Sequence, residues 1–209
     1  MSRLFGGLKV RWPAVILFAV VAGAYTGAVN SIPALANTSY IDIAVSFEWW
    51  IVFAVIIATN CKKPWGSALK IFVFFAISQP VVFAVEVALR SVDAQMAWYY
   101  YATNWGPKTL LTLPGGFLAY YVKDKRLVGG LVMGLTVAAQ AVLGVSYIAA
   151  MLASPPRHLL SAVFCFGSAV VMLLCVQKNH RNRIVALAVA AALFVAAGVW
   201  LQLSGRVLA

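Results

Sequence analysis

The chain has 209 residues, of which 64% are hydrophobic and only 10% are charged. A soluble domain of this length needs more polar side chains to cover its surface, so the composition excludes an ordinary globular protein and predicts that lipid is the solvent. The formal net charge of +11 would suit a nucleic-acid-binding protein. The basic residues, however, occur in short runs between apolar segments, and we expect no nucleic-acid partner.

Seven apolar segments follow one another along the chain, and each is about as long as a helix that crosses a bilayer. We therefore predict an all-α polytopic membrane protein, a bundle of seven transmembrane helices that forms a single integral membrane domain over residues 1–209. The second and fourth segments have short apolar cores, so six crossings plus one re-entrant segment is an alternative. The expected spans are residues 13–30, 43–60, 67–89, 106–122, 127–151, 158–177 and 184–202.

The first segment has features of a signal peptide as well as of a helix. Basic residues precede it, and Ala34-Leu35-Ala36 has the small-x-small pattern of a signal-peptidase site. Cleavage there would leave six spans. We favour a retained helix, because the run is long for a signal peptide and carries Gly23 and Gly27 one turn apart, a spacing that permits close helix packing. Gly130 and Gly134 repeat this spacing in the fifth span.

The basic residues predict the orientation of the chain. Twelve of the sixteen fall on one side of a seven-span arrangement. By the positive-inside rule that side is cytoplasmic, which places the amino terminus in the cytoplasm, the carboxyl terminus outside, and the protein in the cell (inner) membrane. The twelve are Arg3, Lys9, Arg11, Lys62, Lys63, Lys70, Lys123, Lys125, Arg126, Lys178, Arg181 and Arg183.

Aromatic and acidic side chains gather at the expected outer ends, where basic residues are few. We interpret the aromatic residues there, Trp50 and Trp105 among them, as interfacial anchors, because amphipathic rings settle at the headgroups without needing a ligand. Glu48 is expected to reach the headgroups in the same way. The charges also allow an outward vestibule, in which Glu86 meets a cation or Lys108 and other basic residues meet an anion.

Polar residues inside the spans are the candidates for a binding site, since a polar group in lipid is costly and usually faces protein or water. In the third span Gln79, Glu86 and Arg90 share one helical face. The simplest alternative is that Glu86 only pairs with Arg90, one turn later. In the fourth span Pro114-Gly115-Gly116 predicts an interruption of the helix, as in helices that line cavities.

We predict an outward-opening cavity between spans three, four, five and six. The predicted substrate-binding residues are Gln79, Glu86, Thr112, Gln140, Lys108 and Arg157.

No catalytic or cofactor motif accompanies these residues. The sequence has no phosphate loop, zinc-binding helix or nucleophile elbow, and its two histidines fall on opposite sides of the membrane, so we expect no metal, no cofactor and no enzyme. We predict a small transporter, or a membrane substrate-binding subunit, for a small polar solute, completed by a membrane protein partner or by self-association. The alternative is a non-catalytic accessory, scaffold or immunity protein that packs against another membrane protein. An intramembrane enzyme that uses Glu86 and His158 as an acid–base pair ranks third.

Overall fold

The computed structural model is helical, without a strand, over the residues that it describes, which are 3–36, 38–45, 47–90, 93–153 and 158–203. Short 3₁₀ turns lie at Pro33–Leu35 and Tyr120–Lys123, and a π-helical segment lies at Tyr101–Trp105. The α-helices are α1 Trp12–Asn30, α2 Ser39–Val45, α3 Phe47–Thr59, α4 Pro64–Arg90, α5 Ala94–Tyr100, α6 Gly106–Ala119, α7 Leu127–Ala153, α8 Leu159–Val176 and α9 His180–Leu203.

Five of the described helices, α1, α4, α7, α8 and α9, are long and apolar enough to cross a membrane. The prediction of an all-α chain with several membrane-length helices is thus confirmed. Helix α3 is apolar but has only 13 residues, which span about 20 Å at 1.5 Å per residue.

The helix that contains the fourth predicted span extends well beyond the apolar core seen in the sequence. Helices α5 and α6 are joined through the π-helical segment with helical backbone angles at both junctions, so the helical path is continuous from Ala94 to Ala119. The predicted interruption at Pro114-Gly115-Gly116 is wrong, because α6 continues through Pro114. Gly116 instead permits close packing: a Cβ there would lie 3.0 Å from the Cα of Ala68 on α4.

Two compact units divide the chain. We call Arg3–Tyr120 the N-terminal unit and the residues from Tyr121 onward the C-terminal unit.

In the N-terminal unit, the glycine pair of α1 packs against α4. A Cβ at Gly23 would lie 2.5 Å from the carbonyl oxygen of Ser78, and a Cβ at Gly27 would lie 2.7 Å from that of Val82. Since both contacts advance in the same direction along the two helices, α1 and α4 are parallel. The close packing expected from Gly-xxx-Gly therefore occurs inside the chain.

Helix α3 runs opposite to α1 and α4. Near its start, Trp50 packs against Phe74 of α4, with ring centroids 5.6 Å apart. Just after its end, the Asn60 side chain bonds to Leu8, ahead of α1. The path through α5 and α6 also opposes α4, because Tyr100 packs near Phe83, late in α4, whereas the Oγ of Ser67, early in α4, donates 2.8 Å to the carbonyl of Gly116.

In the C-terminal unit, the glycine pair of α7 packs against α9 in the same way. A Cβ at Gly130 would lie 3.0 Å from the carbonyl oxygen of Asn182, and one at Gly134 would lie 2.6 Å from the Cβ of Val189. These two helices are therefore parallel as well. Helix α8 opposes them, because the Gln177 amide at its end donates to the carbonyl of Val122, just before α7.

Candidate functional site

A pocket of about 180 Å³ lies at the end of the N-terminal unit where α1 and α4 finish, and we call it the polar pocket. Helices α1, α3, α4 and α5 and the π-helical segment supply its walls. Two of the predicted substrate-binding residues, Gln79 and Glu86, lie in it together. Its lining consists of Thr26, Asn30, Trp50, Gln79, Val82, Phe83, Glu86, Tyr100 and Trp105.

The carboxylate of Glu86 is held by α1. The side-chain amide of Asn30 donates a hydrogen bond to Glu86 Oε1. The glycine contacts explain this pairing, since Gly23 faces Ser78 and Gly27 faces Val82, so the next turn of each helix brings Asn30 to Glu86. Asn30 thus holds the carboxylate, whereas Arg90, the partner suggested by the simplest alternative, is exposed.

Gln79 brings an amide without a partner into the pocket. Its side chain is only 4% exposed, yet within the described ranges it makes no hydrogen bond to another residue. The indole Nε1 of Trp50 is likewise buried with no partner among those residues. Because a buried polar group left unpaired costs about 1–3 kcal/mol, we interpret the Gln79 amide, which lines the pocket, as ready to bind a solute or water.

Aromatic rings form much of the remaining wall. Trp50, Tyr100 and Trp105 line the pocket together with Phe83, whose ring centroid lies 6.0 Å from that of Tyr100. An aromatic face attracts a cation through its quadrupole, and a carboxylate nearby adds to that attraction. The combination of Glu86 with these rings is therefore suited to a positively charged group.

The π-helical segment places Trp105 in this wall. A π-helical turn holds more residues than an α-helical turn, and such turns occur frequently at functional sites. The ammonium of Lys108 lies 4.7 Å from the centroid of the Trp105 ring. Lys108, predicted to bind substrate, thus contacts a residue of the wall but does not line the pocket.

The other predicted site residues lie elsewhere. The hydroxyl of Thr112 donates to the carbonyl of Thr109 at 2.6 Å, within α6. Gln140 is fully buried in α7, which belongs to the C-terminal unit. Arg157 lies outside the described residues. The polar pocket is therefore walled by predicted spans one to three and by Tyr100 and Trp105, which precede predicted span four, whereas the sequence predicted a cavity between spans three, four, five and six.

Two polar residues of the pocket were missed in the sequence. Thr26 and Asn30 lie on α1 with Gly23 and Gly27, at positions i, i+3, i+4 and i+7 of one helical face. This is the spacing of a packed face. The glycines were interpreted as a packing motif. Thr26 and Asn30 share the helical face of that motif, and this shared face could have identified them as residues of a site.

Two interpretations of interfacial residues are wrong. Glu48, expected to reach the headgroups, is 0% exposed, and Trp50, interpreted as an interfacial anchor, is 5% exposed. Trp50 packs instead against Phe74 and Phe75. A position near the end of an apolar segment does not distinguish a face that meets lipid from one that meets another helix.

In the part of the chain that the structure describes, no group of three or more His, Cys, Asp or Glu side chains is placed to hold a metal ion. No protein family, curated protein or solved structure matches the chain. A function is therefore inferred from the chemistry of the pocket alone.

Proposed function

We propose that this chain is a multi-pass protein of the inner membrane, either a transporter or a membrane substrate-binding subunit, and that its polar pocket binds a small polar solute carrying positive charge. One observation carries the proposal: the Glu86 carboxylate and the unpartnered Gln79 amide face a pocket of about 180 Å³ bordered by aromatic rings. The carboxylate would balance the charge of the solute, the amide would bond to it, and the rings would enclose its apolar part.

The residues that line the pocket favour a positive charge on the solute. Glu86 lies in the lining, whereas the two described cations closest in sequence to the pocket, Arg90 and Lys108, do not. The half-buried Glu86 carboxylate attracts a cation at short range. Of the two vestibules that the sequence allows, the cation-binding one is therefore favoured.

Movement of the solute would require a change in α4, and Pro80 gives that helix a weak point beside Gln79. A proline has no backbone N–H, so the carbonyl one turn earlier, at Ala76, loses its helical donor. Bending at this position would move Glu86 relative to Gln79 and alter the pocket.

Seven crossings with a cytoplasmic amino terminus remain part of the proposal. In the N-terminal unit α1, α3, α4 and the path through α5 and α6 alternate in direction, and in the C-terminal unit α7, α8 and α9 alternate as well. The path from Ala94 to Ala119 exceeds the roughly 20 residues that a crossing needs. Topology reporters fused to the two chain ends should report opposite compartments, and a common compartment would exclude an odd number of crossings.

The decisive measurement is solute binding by the purified protein and by Glu86→Gln. We expect the wild-type melting temperature to rise with at least one member of a panel of small organic ammonium compounds, and not with matched neutral or anionic compounds. Glu86→Gln should remove that rise while the protein stays folded. Asp93→Asn is the matched control, because it makes the same chemical change at an exposed helix cap that asparagine also fills.

An accessory or scaffold role is the other outcome of this experiment. It is supported if no solute shifts the melting temperature and a membrane protein copurifies at fixed stoichiometry. The glycine faces no longer favour it, because Gly23 and Gly27 pack against α4, and Gly130 and Gly134 against α9.

A further inference from the structure

We propose a second binding site, for a phosphate-bearing anion, at the end of the N-terminal unit where α1 and α4 begin. A cavity of about 580 Å³ lies there, and we call it the basic cavity. Five cations line it and no carboxylate does. The cations are Lys9, Arg11, Lys62, Lys63 and Lys70.

Unbalanced charge is the first argument for an anion. Like charges gathered around one cavity repel one another, and each is stabilised if an anion binds between them. The acidic residues of the described N-terminal unit, Asp42, Glu48, Glu86 and Asp93, lie on other segments, and none of them lines the cavity. No carboxylate of the described N-terminal unit therefore balances these five cations within the cavity, and a bound anion would do so.

The cavity is also pre-organised, because side chains hold the segment before α1 against α4 and the residues just before it. The amide of Asn60 donates 2.6 Å to the carbonyl of Leu4, and its oxygen accepts 2.6 Å from the N–H of Leu8. The ammonium of Lys70 donates 2.6 Å to the carbonyl of Val10. Preformed walls reduce the ordering cost of binding a ligand.

The first turn of α4 adds backbone donors. This helix begins at Pro64, which has no N–H, and the N–H of Ser67 bonds to the carbonyl of Lys63. The other amides of the first turn, those of Trp65 and Gly66, have no carbonyl partner within the helix, which together with the helix dipole favours a bound anion. Gly66 of that turn lines the cavity, and a Cβ built there would meet nothing within 4 Å. The backbone is therefore open to a ligand at this position.

The depth of the cavity indicates the nature of the anion. Trp12 and Trp65 lie at the starts of α1 and α4 and are 43% and 63% exposed, as is usual for rings at the headgroup level of a bilayer. Phosphate groups of lipids lie at that level. The shared chemistry is a phosphate ester, supplied either by an anionic lipid headgroup or by a soluble phosphate.

Native mass spectrometry of the detergent-purified protein would test this site with three probes: phosphatidic acid, phosphatidylcholine of the same chain length, and inorganic phosphate. We expect phosphatidic acid to bind in preference to phosphatidylcholine. Strong competition by inorganic phosphate would identify a soluble phosphate as the source, and weak competition would identify the lipid.

Two variants distinguish a built site from general attraction. Lys62→Gln/Lys63→Gln removes two exposed charges, and Gly66→Leu places a bulky side chain in the cavity, beside the backbone of α4, without removing any charge. Each should weaken phosphatidic acid binding by about tenfold or more. Lys125→Gln/Arg126→Gln is the control, since it removes two exposed cations from the C-terminal unit. Equal loss in the control, no loss in Gly66→Leu, or no preference of the wild type for phosphatidic acid would overturn the proposal.

Discussion

The two units pack a parallel pair of helices through the same glycine motif, but they differ in structure at the end that carries their basic residues. Each joins a parallel helix pair through Gly-xxx-Gly, and each uses one asparagine to bind neighbouring segments at the end where that pair begins. In the C-terminal unit Asn182 is 1% exposed and donates to the carbonyls of Asp124 and Arg126, at 3.1 and 2.9 Å. In the N-terminal unit Asn60 is half-buried at the edge of the basic cavity.

Basic side chains at these ends also differ between the two units. Arg183 of the C-terminal unit donates to the carbonyls of Leu174 and Gln177, at 2.9 and 2.6 Å, and so caps the end of α8. In the N-terminal unit, Lys62 and Lys63 are exposed at the basic cavity. The C-terminal unit thus uses Arg183 to complete the backbone at the end of α8, and the N-terminal unit uses Lys70 on the carbonyl of Val10 but leaves Lys62 and Lys63 exposed at a cavity. Similar sequence clusters, both interpreted as topology signals, therefore have different structural uses.

The largest effects should come from the glycine contacts, because backbone lies against each of them. Gly27→Val and Gly134→Val should each lower the free energy of unfolding by about 3 kcal/mol, the upper part of the range for overpacking. Only Gly27→Val should also abolish solute binding, since the register of α1 on α4 positions Asn30 and Glu86. Thermal unfolding and solute binding in detergent would measure both quantities.

Gly115→Ala is the control for these variants, because a Cβ at Gly115 would meet nothing within 4 Å. It should leave stability and binding unchanged or raise stability slightly. If Gly134→Val abolished solute binding as completely as Gly27→Val at equal stability, the assignment of the pocket to the N-terminal unit would be wrong.

A smaller difference is expected between the two asparagines. Asn182→Ala should cost about 2 kcal/mol, because it removes two hydrogen bonds made by a buried side chain, whereas Asn60→Ala should cost about 1 kcal/mol or less, because water can replace its bonds. Chemical denaturation of the two variants measures this contrast. Equal losses of unfolding free energy would mean that the hydrogen bonds of the two asparagines are equally shielded from water, contrary to the comparison.

The smallest effect should appear at two serines of α4, both 0% exposed. Ser67→Ala removes the bond to Gly116 and should cost about 1 kcal/mol. Ser78→Ala should be close to neutral, because the Ser78 hydroxyl has no hydrogen-bond partner within the described residues and alanine is the better helix former. A marked loss of stability in Ser78→Ala would show that the hydroxyl has a partner after all.

The sequence predicted the long helices well, because hydropathy over some twenty residues reports lipid contact directly. It also placed Gln79 and Glu86 on one face, and the structure brings both to one pocket. Helical spacing is a local property, so a polar face can be found from one segment alone.

Neighbouring helices could not be predicted in the same way. Glycine spacing indicated that α1 packs closely against some helix but did not identify α4, and so Asn30 was missed as the partner of Glu86. Pro114-Gly115-Gly116 was interpreted as a break because the close approach of α4 to Gly116 was unknown. Contacts between distant segments depend on which faces meet, and a single sequence does not specify that.

The π-helical segment has a consequence for how the pocket tolerates change in chain length. Such a segment accommodates one more residue than an α-helix between the same two ends. Removing one residue from Tyr101–Trp105 would therefore let a regular α-helix join the same two ends, with Tyr100 still near Phe83 and α6 still packed on α4. Removing one residue from α6 would instead turn everything on its amino-terminal side by about 100°, so the aromatic wall tolerates a shorter chain within the π-helical segment but not in the helix that follows it.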